Sequence, residues 1–357
     1  MDAKRNSGFT KDREMSIPRL TVLMPVYNSE KFLREAIDSI LSQTFGDFEF
    51  IIINDGSYDE SDKIIRSYKD VRIRYYQNEK NKGITYTLNS GIDLARSELI
   101  ARMDADDVCY PDRLQRQMEF IMTHPGGALY SCAVIEVDEQ RQFIRKDDFH
   151  PDHFYYNLTF ANWIYHPSMV YRKACVKAVG KYTLPYAEDW ELTWQLSRQY
   201  KIYHQPEVLL EYRLSSHSLC RDTKKAENSN AMFKQAQRNI RYYMGEKAQL
   251  EPWIVEVITN TEATAKKNHS IFQILKCLNT LTHITGKILQ KNNINRDYSA
   301  IQSAARKKKE YLLAVYSSKL GLVRGTFLFL LAGEWKPLYK KLTARINSTI
   351  ATLAKFI

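Results

Sequence analysis

The chain has 357 residues, 44% apolar and 26% charged, with a net charge of +11. That balance excludes a disordered chain and a membrane bundle, and the length calls for one large globular domain with something appended. Cys109, Cys132, Cys175, Cys220 and Cys277 are odd in number, widely scattered and never spaced C-x-x-C, which suggests neither a disulfide framework nor a zinc site and fits a reducing, cytoplasmic setting.

Residues 1–18 carry no apolar stretch of the kind a secretory signal needs and read as a disordered leader. Residues 19–220 then alternate β-rich runs with helical spacing, the pattern of an α/β domain with a mostly parallel sheet. Leu20 to Val26 is the first predicted strand, and Ser29 can cap a helix carrying Phe32, Leu33, Ala36, Ile37, Ile40 and Leu41. Phe48 to Ile53 reads as a buried strand ended by the turn Asn54-Asp55-Gly56-Ser57. A helix from Glu60 to Tyr68, a strand from Val71 to Tyr76, a helix from Thr85 to Ala95 and a strand from Leu99 to Met103 follow. Pro111 suits the first turn of the next helix.

From Gly127 onward the pattern turns more antiparallel. Ala128 to Val137 and Gln142 to Arg145 form a predicted hairpin, and Ser168 to Tyr171 is a further short strand. A helix spans Glu188 to Tyr200, with strands at Lys201 to His204 and Val208 to Arg213. Residues 221–357 are basic and mainly helical. They hold 24 Lys+Arg against 9 Asp+Glu, whereas residues 1–220 hold 28 against 32, so the whole basic excess lies in the C-terminal part. Such a region attracts polyanions or an anionic membrane face. The longest late apolar run, Gly325 to Gly333, is too short for the roughly 20 residues of a bilayer crossing.

Three polar stretches carry candidate chemistry. In ARMDADDVCYPDRL, Asp104 and Asp106 can present oxygens to one Mg²⁺ or Mn²⁺ completed by substrate phosphates, or the acids can be a wet loop in which Asp106 and Asp107 cap the helix at Pro111. In NDGSYD, Asp55 ends an apolar strand where a carboxylate can meet a base edge or ribose, although Asp-Gly is also ordinary turn chemistry and Ser57 or Asp59 an ordinary cap. In AEDW, Glu188 and Asp189 suit the first turn of a helix, while a carboxylate beside Trp190 also suits a general base. No G-x-G-x-x-G follows the first strand, so a nicotinamide cofactor is not supported.

The ordered array MPVYNSEKFLREAIDSILSQTF, FEFIIINDGSYDES, NKGITYTLNSGI, ARMDADDVCYPDRL, HPSMVYRK and AEDWELTWQL, from about Leu20 to Arg213, resembles the family-2 glycosyltransferases of the GT-A fold. The resemblance implies an inverting, non-processive transferase moving a sugar from a nucleotide-sugar, a UDP-sugar by preference, to a glycan or lipid-linked acceptor in surface polysaccharide biosynthesis. It implies that Pro25, Val26, Tyr27, Asp55, Asn81, Lys82 and Gly83 contact the nucleotide. Asp104 would meet ribose or donor sugar, Asp106 would ligate Mn²⁺ or Mg²⁺, His166 and Glu188 would shape the donor and acceptor pocket, and Asp189 would be the catalytic base. A His that such enzymes often carry after the last strand's Tyr-Arg has only His217 as a displaced counterpart, and QLSRQ lacks the Trp of processive synthases. A sugar-phosphate nucleotidyltransferase is the alternative enzyme, but MPVYNSEKF lacks its Gly-rich basic loop. A non-catalytic polyanion-binding protein explains the basic tail and not the motif order; no nucleic-acid partner is expected. The tail's Arg306-Lys307-Lys308-Lys309 and WKPLYKKLTARI suit either peripheral contact with the cytoplasmic face of a membrane or a helical extension with a solvated basic face.

Overall fold

In chain order, the N-terminal half of the computed structural model gives β1 (Leu20–Val26), α1 (Leu33–Leu41), β2 (Phe48–Asn54), α2 (Ser61–Ser67), β3 (Ile73–Gln77), α3 (Ile84–Leu94) and β4 (Leu99–Arg102). The structure describes residues 17–147, 149–214 and 225–333. Beyond β4 come β5 (Val108–Cys109), α4 (Arg113–Thr123), β6 (Gly127–Val137), β7 (Phe143–Lys146), α5 (Phe154–Asn157), β8 (Val170–Arg172), α6 (Lys173–Ala178), α7 (Glu188–Gln199) and β9 (Lys201–Arg213). Five helices complete the described chain: α8 (Lys225–Met244), α9 (Pro252–Thr259), α10 (Thr261–Thr264), α11 (Ile271–Gln290) and α12 (Tyr298–Leu331).

All strands join one mixed sheet of order β3-β2-β1-β4-β8-β6-β9-β5, with β7 paired to β6. The first half is parallel: β1 pairs with both β2 and β4, and β2 with β3. The continuous apolar runs of β1 and β2 follow from burial on both faces, because successive side chains point to opposite sides. Leu23, Ile51, Ile53 and Ile100 enter one core; Val22, Met24, Phe50, Ile52 and Ala101 enter the other. The first core continues without a break into Ile258, Leu281 and Leu313, so the C-terminal helices cover one face of the sheet. The chain winds outward from β1 through β2 to β3, then returns to β4 on the other side of β1. That reversal is a topological switch point, where the carboxyl ends of the strands leave a crevice for ligands.

The structure departs from the sequence expectations in several places. Ser29 does not cap α1: its hydroxyl donates to the Tyr27 carbonyl at 3.2 Å, and the helix starts only after Phe32. Val71 is fully exposed and precedes β3, which starts at Ile73. The two short strands expected between Lys201 and Arg213 are one, whose register on β6 slips between Gln205 and Val208. Pro206 lies in that slip, as suits a residue without an N–H for the ladder. β6 and β9 also run parallel, whereas β7 and β8 pair with β6 antiparallel as expected.

At the amino ends of the strands, the buried Glu49 carboxylate accepts from Thr21 Oγ1 (2.7 Å), Arg74 Nη1 (2.6 Å), Arg96 N (2.6 Å) and Arg96 Nε (2.7 Å). One acid thus ties β1, β2, β3 and the turn before β4 together. Burial acts to raise its pKa, but these four donors together hold it below the ordinary value. Its stabilising contribution is therefore complete above the usual glutamate value of 4.5 and is lost as pH falls through the lowered native one. Glu49→Gln should cost about 3 kcal/mol at pH 7, the scale of breaking a buried ion pair from one side. Urea unfolding at pH 7 and pH 3 checks this: the gap between variant and parent should narrow at the lower pH.

Candidate active site

The carboxyl ends of β1, β2 and β3 form the first wall. Asp55 follows β2, and its N–H donates to the Val26 carbonyl at 2.8 Å. Its carboxylate accepts from the backbone N–H groups of Lys82 and Gly83, each at 2.9 Å, and from Asn78 Nδ2 at 2.7 Å. The Asn81-Lys82-Gly83 turn is therefore clasped onto Asp55. The adjacent Gly56 has φ +72°, and a Cβ there would lie 2.5 Å from the Lys80 carbonyl carbon, so only glycine lets these loops meet. A pocket of about 350 Å³ opens beside them, lined by Gly56, Ser57, Gln77, Asn78 and Glu79. Ser57 serves as a cross-link to the β1 loop, not as a helix cap, with Asn28 N donating to its Oγ at 3.0 Å; Asp59 does both, its Oδ2 accepting Glu30 N and its Oδ1 the free Ser61 N–H at the start of α2, each at 3.0 Å. Pro25 and Val26 are buried in β1, while Tyr27 is exposed and meets Tyr58 edge to face at 6.3 Å.

The acidic loop leaves β4 next to this wall. Asp107 does not cap the following helix, which starts at Arg113 after Asp112. It is buried, and its Oδ1 accepts the backbone N–H of Arg213 at 2.8 Å. The Arg213 side chain completes the clamp. Its Nε donates to the Asp106 carbonyl, Nη1 to the Glu139 carbonyl and Nη2 to Glu35 Oε2, each at 2.7 Å. Asp104 and Asp106 remain half-buried toward the crevice. Loss of surrounding water, followed by the charge of Asp104, pushes the Asp106 carboxyl up to about 6. Burial, then Asp106 and Asp104, pushes Asp107 well above the ordinary range.

The third wall is the start of α7, entered through Ala187 in the left-handed conformation (φ 55°). A non-glycine residue there marks a constrained turn. Trp190 is buried and donates from Nε1 to the Leu158 carbonyl at 2.8 Å, which fixes the helix start. Asp189 Oδ1 accepts the Trp190 N–H at 2.7 Å, and Oδ2 accepts Asn162 Nδ2 at 2.6 Å. Glu188 Oε1 faces His166 Nδ1 at 3.9 Å, and His166 Nε2 lies 2.8 Å from the Tyr182 hydroxyl. Burial, then the charge of Asp189, raises Glu188 to about 8. Burial also raises Asp189, but its two N–H donors favour the ionised form. Glu188 thus favours its protonated form, while the two donors on Asp189 work against the rise that burial imposes there. Burial, then Arg102, keeps His166 neutral.

Arg102, which sequence reasoning passed over, joins the walls. It is 2% exposed, and its guanidinium donates to Asp104 Oδ1 at 2.6 Å. Its charge favours ionisation of Asp106, Asp107, Glu188 and Asp189 alike, so the acidic loop and the α7 start share one buried cation. An Arg ending the otherwise apolar LIAR was the only signal for it; Asn162 gave none. His217 lies outside the described residues.

The donor set fits a divalent cation completed by a ligand. Asp106 and Asp104 crowd each other electrostatically, which a cation relieves, and hard oxygen donors suit Mg²⁺ or Mn²⁺. Among the described residues no group of three or more His, Cys, Asp or Glu could hold a metal by itself, so diphosphate oxygens would have to supply the remaining ligands.

Residues 21–177 match the family described as Glycosyl transferase family 2. An uncharacterized glycosyltransferase of Methanocaldococcus jannaschii is 32% identical over 56% of this chain and 72% of its own length. The chain belongs to glycosyltransferase family 2. The amylovoran biosynthesis glycosyltransferase AmsE of Erwinia amylovora is similar at 30% identity over 55% of this transferase and 76% of AmsE. Among solved structures, S. aureus TarS 1–349 with UDP-GlcNAc superposes with TM-score 0.55 at 18% identity, over 84% of this chain and 91% of TarS 1–349. Mannosyltransferase PcManGT of Pyrobaculum calidifontis, with GDP-Man and Mn²⁺, does so with TM-score 0.51 at 18% identity, over 92% and 89%. These likenesses give the fold: a GT-A-type α/β domain with a mostly parallel central sheet, followed by helices. The transferase thus places its acidic loop at the switch point of that sheet, where Arg102 is bonded to Asp104 and its charge acts on the Glu188-Asp189 pair as well.

Proposed function

We propose that this family-2 enzyme is an inverting, metal-dependent transferase that moves a sugar from a nucleotide-sugar, a UDP-sugar by preference, to a hydroxyl of a glycan or lipid-linked acceptor in surface polysaccharide biosynthesis. The observation that carries the reading is the convergence of the Asp104-Asp106 loop and Asp189 on one buried cation. Residues 19–220 are read as the catalytic unit and 221–357 as its helical extension. The pocket beside Asp55 and the Asn81-Lys82-Gly83 turn takes the nucleoside. Because the Asp55 carboxylate already accepts three bonds, its contribution is to shape that turn as well as to meet the base or ribose.

In the reaction, the acceptor oxygen forms a bond to the anomeric carbon as its proton passes to Asp189, and the bond from that carbon to the diphosphate oxygen breaks. Asp106, together with the diphosphate oxygens, would hold a Mn²⁺ or Mg²⁺, which would supply Lewis-acid stabilisation of the leaving group's charge. Neutral His166 and protonated Glu188 line the sugar pocket without adding charge. Attack from the face opposite the leaving group inverts the anomeric centre. A panel of nucleotide-sugars with Mn²⁺, scored by release of free nucleoside diphosphate, tests the reading; release from none of them would overturn it.

Membrane contact belongs to the same proposal. After the turn at Gly321, the last part of α12 exposes Val323 (81%), Phe327 (51%), Leu330 and Leu331 at helical spacing, beside Arg324. Such an apolar strip in a region of strong positive charge suits the boundary of an anionic bilayer. Lys308 of the basic cluster is instead turned inward over the Phe160 ring at 4.8 Å, and WKPLYKKLTARI lies outside the described residues. No helix among the described residues is long and apolar enough to cross a membrane. Flotation should show binding to phosphatidylglycerol vesicles, little to phosphatidylcholine, and a loss of roughly tenfold or more for Val323→Ser with Phe327→Ser. Equal binding by the double variant would sink this contact.

A further inference from the structure

Thr85, Asn89 and Asp93 recur every fourth residue along α3 and so form one polar stripe, beside the buried face that carries Leu88 and Ile92. All three bond to the strap of chain between α6 and α7. Asp93 meets Lys181 Nζ at 2.7 Å and, on α6 itself, Lys177 Nζ at 3.2 Å. Asn89 Oδ1 accepts the Tyr182 N–H at 3.1 Å, and its Nδ2 donates to the Tyr182 carbonyl at 2.8 Å. Thr85 Oγ1 donates to the Leu184 carbonyl. One side chain thus satisfies both main-chain groups of Tyr182, as a neighbouring strand would. The Asp93 pairs are solvent-screened and hold little, so Asn89 and Thr85 carry the attachment.

The side chains of the same strap reach the active site. The Tyr182 hydroxyl lies 2.8 Å from His166 Nε2, and His166 Nδ1 faces Glu188 Oε1 at 3.9 Å. Thr183 Oγ1 donates to Glu191 Oε2 at 3.1 Å, two residues after Asp189 in the first turn of α7. The Glu191 N–H in turn donates to the Ala187 carbonyl at 3.0 Å. The strap passes through Lys181 (φ 61°) and ends at Ala187 (φ 55°), both left-handed and neither a glycine. Such conformations persist only where the surroundings over-determine them, and the bonds to α3 on one side and α7 on the other do so here.

The helix that holds the strap is itself fixed. Its amino end continues from the Asn81-Lys82-Gly83 turn clasped by Asp55. Its middle lies directly on β1, where a Cβ at Gly91 would come within 2.2 Å of Leu23 Cδ1. We infer that Asn89, with Thr85, is a positioning residue for glycosyl transfer: through the main chain of Tyr182 and Leu184 it sets the His166 ring and the start of α7, and with it Asp189, at a fixed place relative to the nucleotide turn. The inference rests on the reading of Asp189 as base. Loosening the strap leaves the Asp55 clasp untouched and displaces the reacting groups, and a displacement of about 1 Å costs up to about a hundredfold in rate.

The test compares Asn89→Ala, Thr85→Val and Thr85→Ser by transfer kinetics and by calorimetric titration with the nucleoside diphosphate that the parent releases, with kcat expressed per binding site. Asn89→Ala should lower kcat by about thirtyfold and Thr85→Val by about fivefold, while diphosphate Kd stays within about twofold of the parent. Thr85→Ser keeps the hydroxyl and should return most of the rate. A role in stability alone lowers the number of binding sites and leaves kcat per site unchanged; that result, or Thr85→Ser as impaired as Thr85→Val, would overturn the inference. Amide hydrogen exchange gives a readout independent of turnover. In Asn89→Ala the Tyr182 and Glu191 amides should exchange about tenfold faster, while those of Lys82 and Gly83 keep their protection. Faster exchange at Tyr182 with Glu191 unchanged would equally overturn it. If Asn89→Ala does not fold, Thr85→Val decides by the same measurements. If the parent releases diphosphate from no nucleotide-sugar, the functional reading fails and exchange alone decides the inference. Asp189→Asn separates the layers: transfer intact there removes the base, whereas its loss beside an unimpaired Asn89→Ala removes only this inference.

Discussion

Asp189→Asn is expected to lower glycosyl transfer by about a thousandfold while leaving nucleoside diphosphate affinity within twofold of the parent. Asparagine keeps the shape of the side chain and can still meet Trp190 N–H through its carbonyl, so the start of α7 survives. What is lost is the acceptor for the proton of the attacking hydroxyl. Glu188→Gln is the informative contrast. Glu188, raised to about 8, already carries its proton near neutral pH, so the amide imitates the native state and should cost less than about tenfold. Transfer kinetics on both variants, with diphosphate binding by calorimetry, checks the pair. Undiminished transfer by Asp189→Asn, or equal losses in the two variants, would remove Asp189 as the base.

Asp106→Ala should weaken Mn²⁺-dependent binding of UDP by about a hundredfold. Its effect should vanish in EDTA, because the side chain reaches the diphosphate only by way of a cation. The loop itself should hold its course, since Arg213 Nε bonds the Asp106 carbonyl and Arg213 N bonds the Asp107 carboxylate. Binding isotherms of parent and variant with Mn²⁺ and with EDTA measure this. UDP affinity of the parent that is the same in both solutions would end the metal assignment.

The polar loops were legible because each follows an apolar run that cannot be anything but a buried strand, and parallel strands deliver all their carboxyl ends to one edge. Asp55, Asp104 and Asp106 were read in this way, whereas the Glu188-Asp189 pair was read from the first turn of a helix beside Trp190. The cap offered as one reading of Asp107 rested on its local spacing to Pro111, whereas its partner is Arg213, more than a hundred residues away. Asn162 was hidden because its amide meets Asp189 from a loop without any motif, 27 residues upstream. Arg102 was overlooked for a different reason. A charged residue at a strand end is ordinarily solvated, and only packing of α7, Tyr171 and Tyr182 over it makes this one a buried cation.

The sequence by itself determined the α/β class, the order of the polar loops along the chain and the asymmetry of charge, since all three rest on periodicity and composition within short windows. Tertiary structure alone decided that β6 and β9 run parallel, that Pro206 lies in a slip of one strand instead of between two, and that the C-terminal helices share a core with Leu23 and Ile51. It also decided which carboxylates hold their charge. Ionisation depends on burial and on partners outside the local motif, such as Asn162 beside Asp189, and no local pattern of residues encodes either.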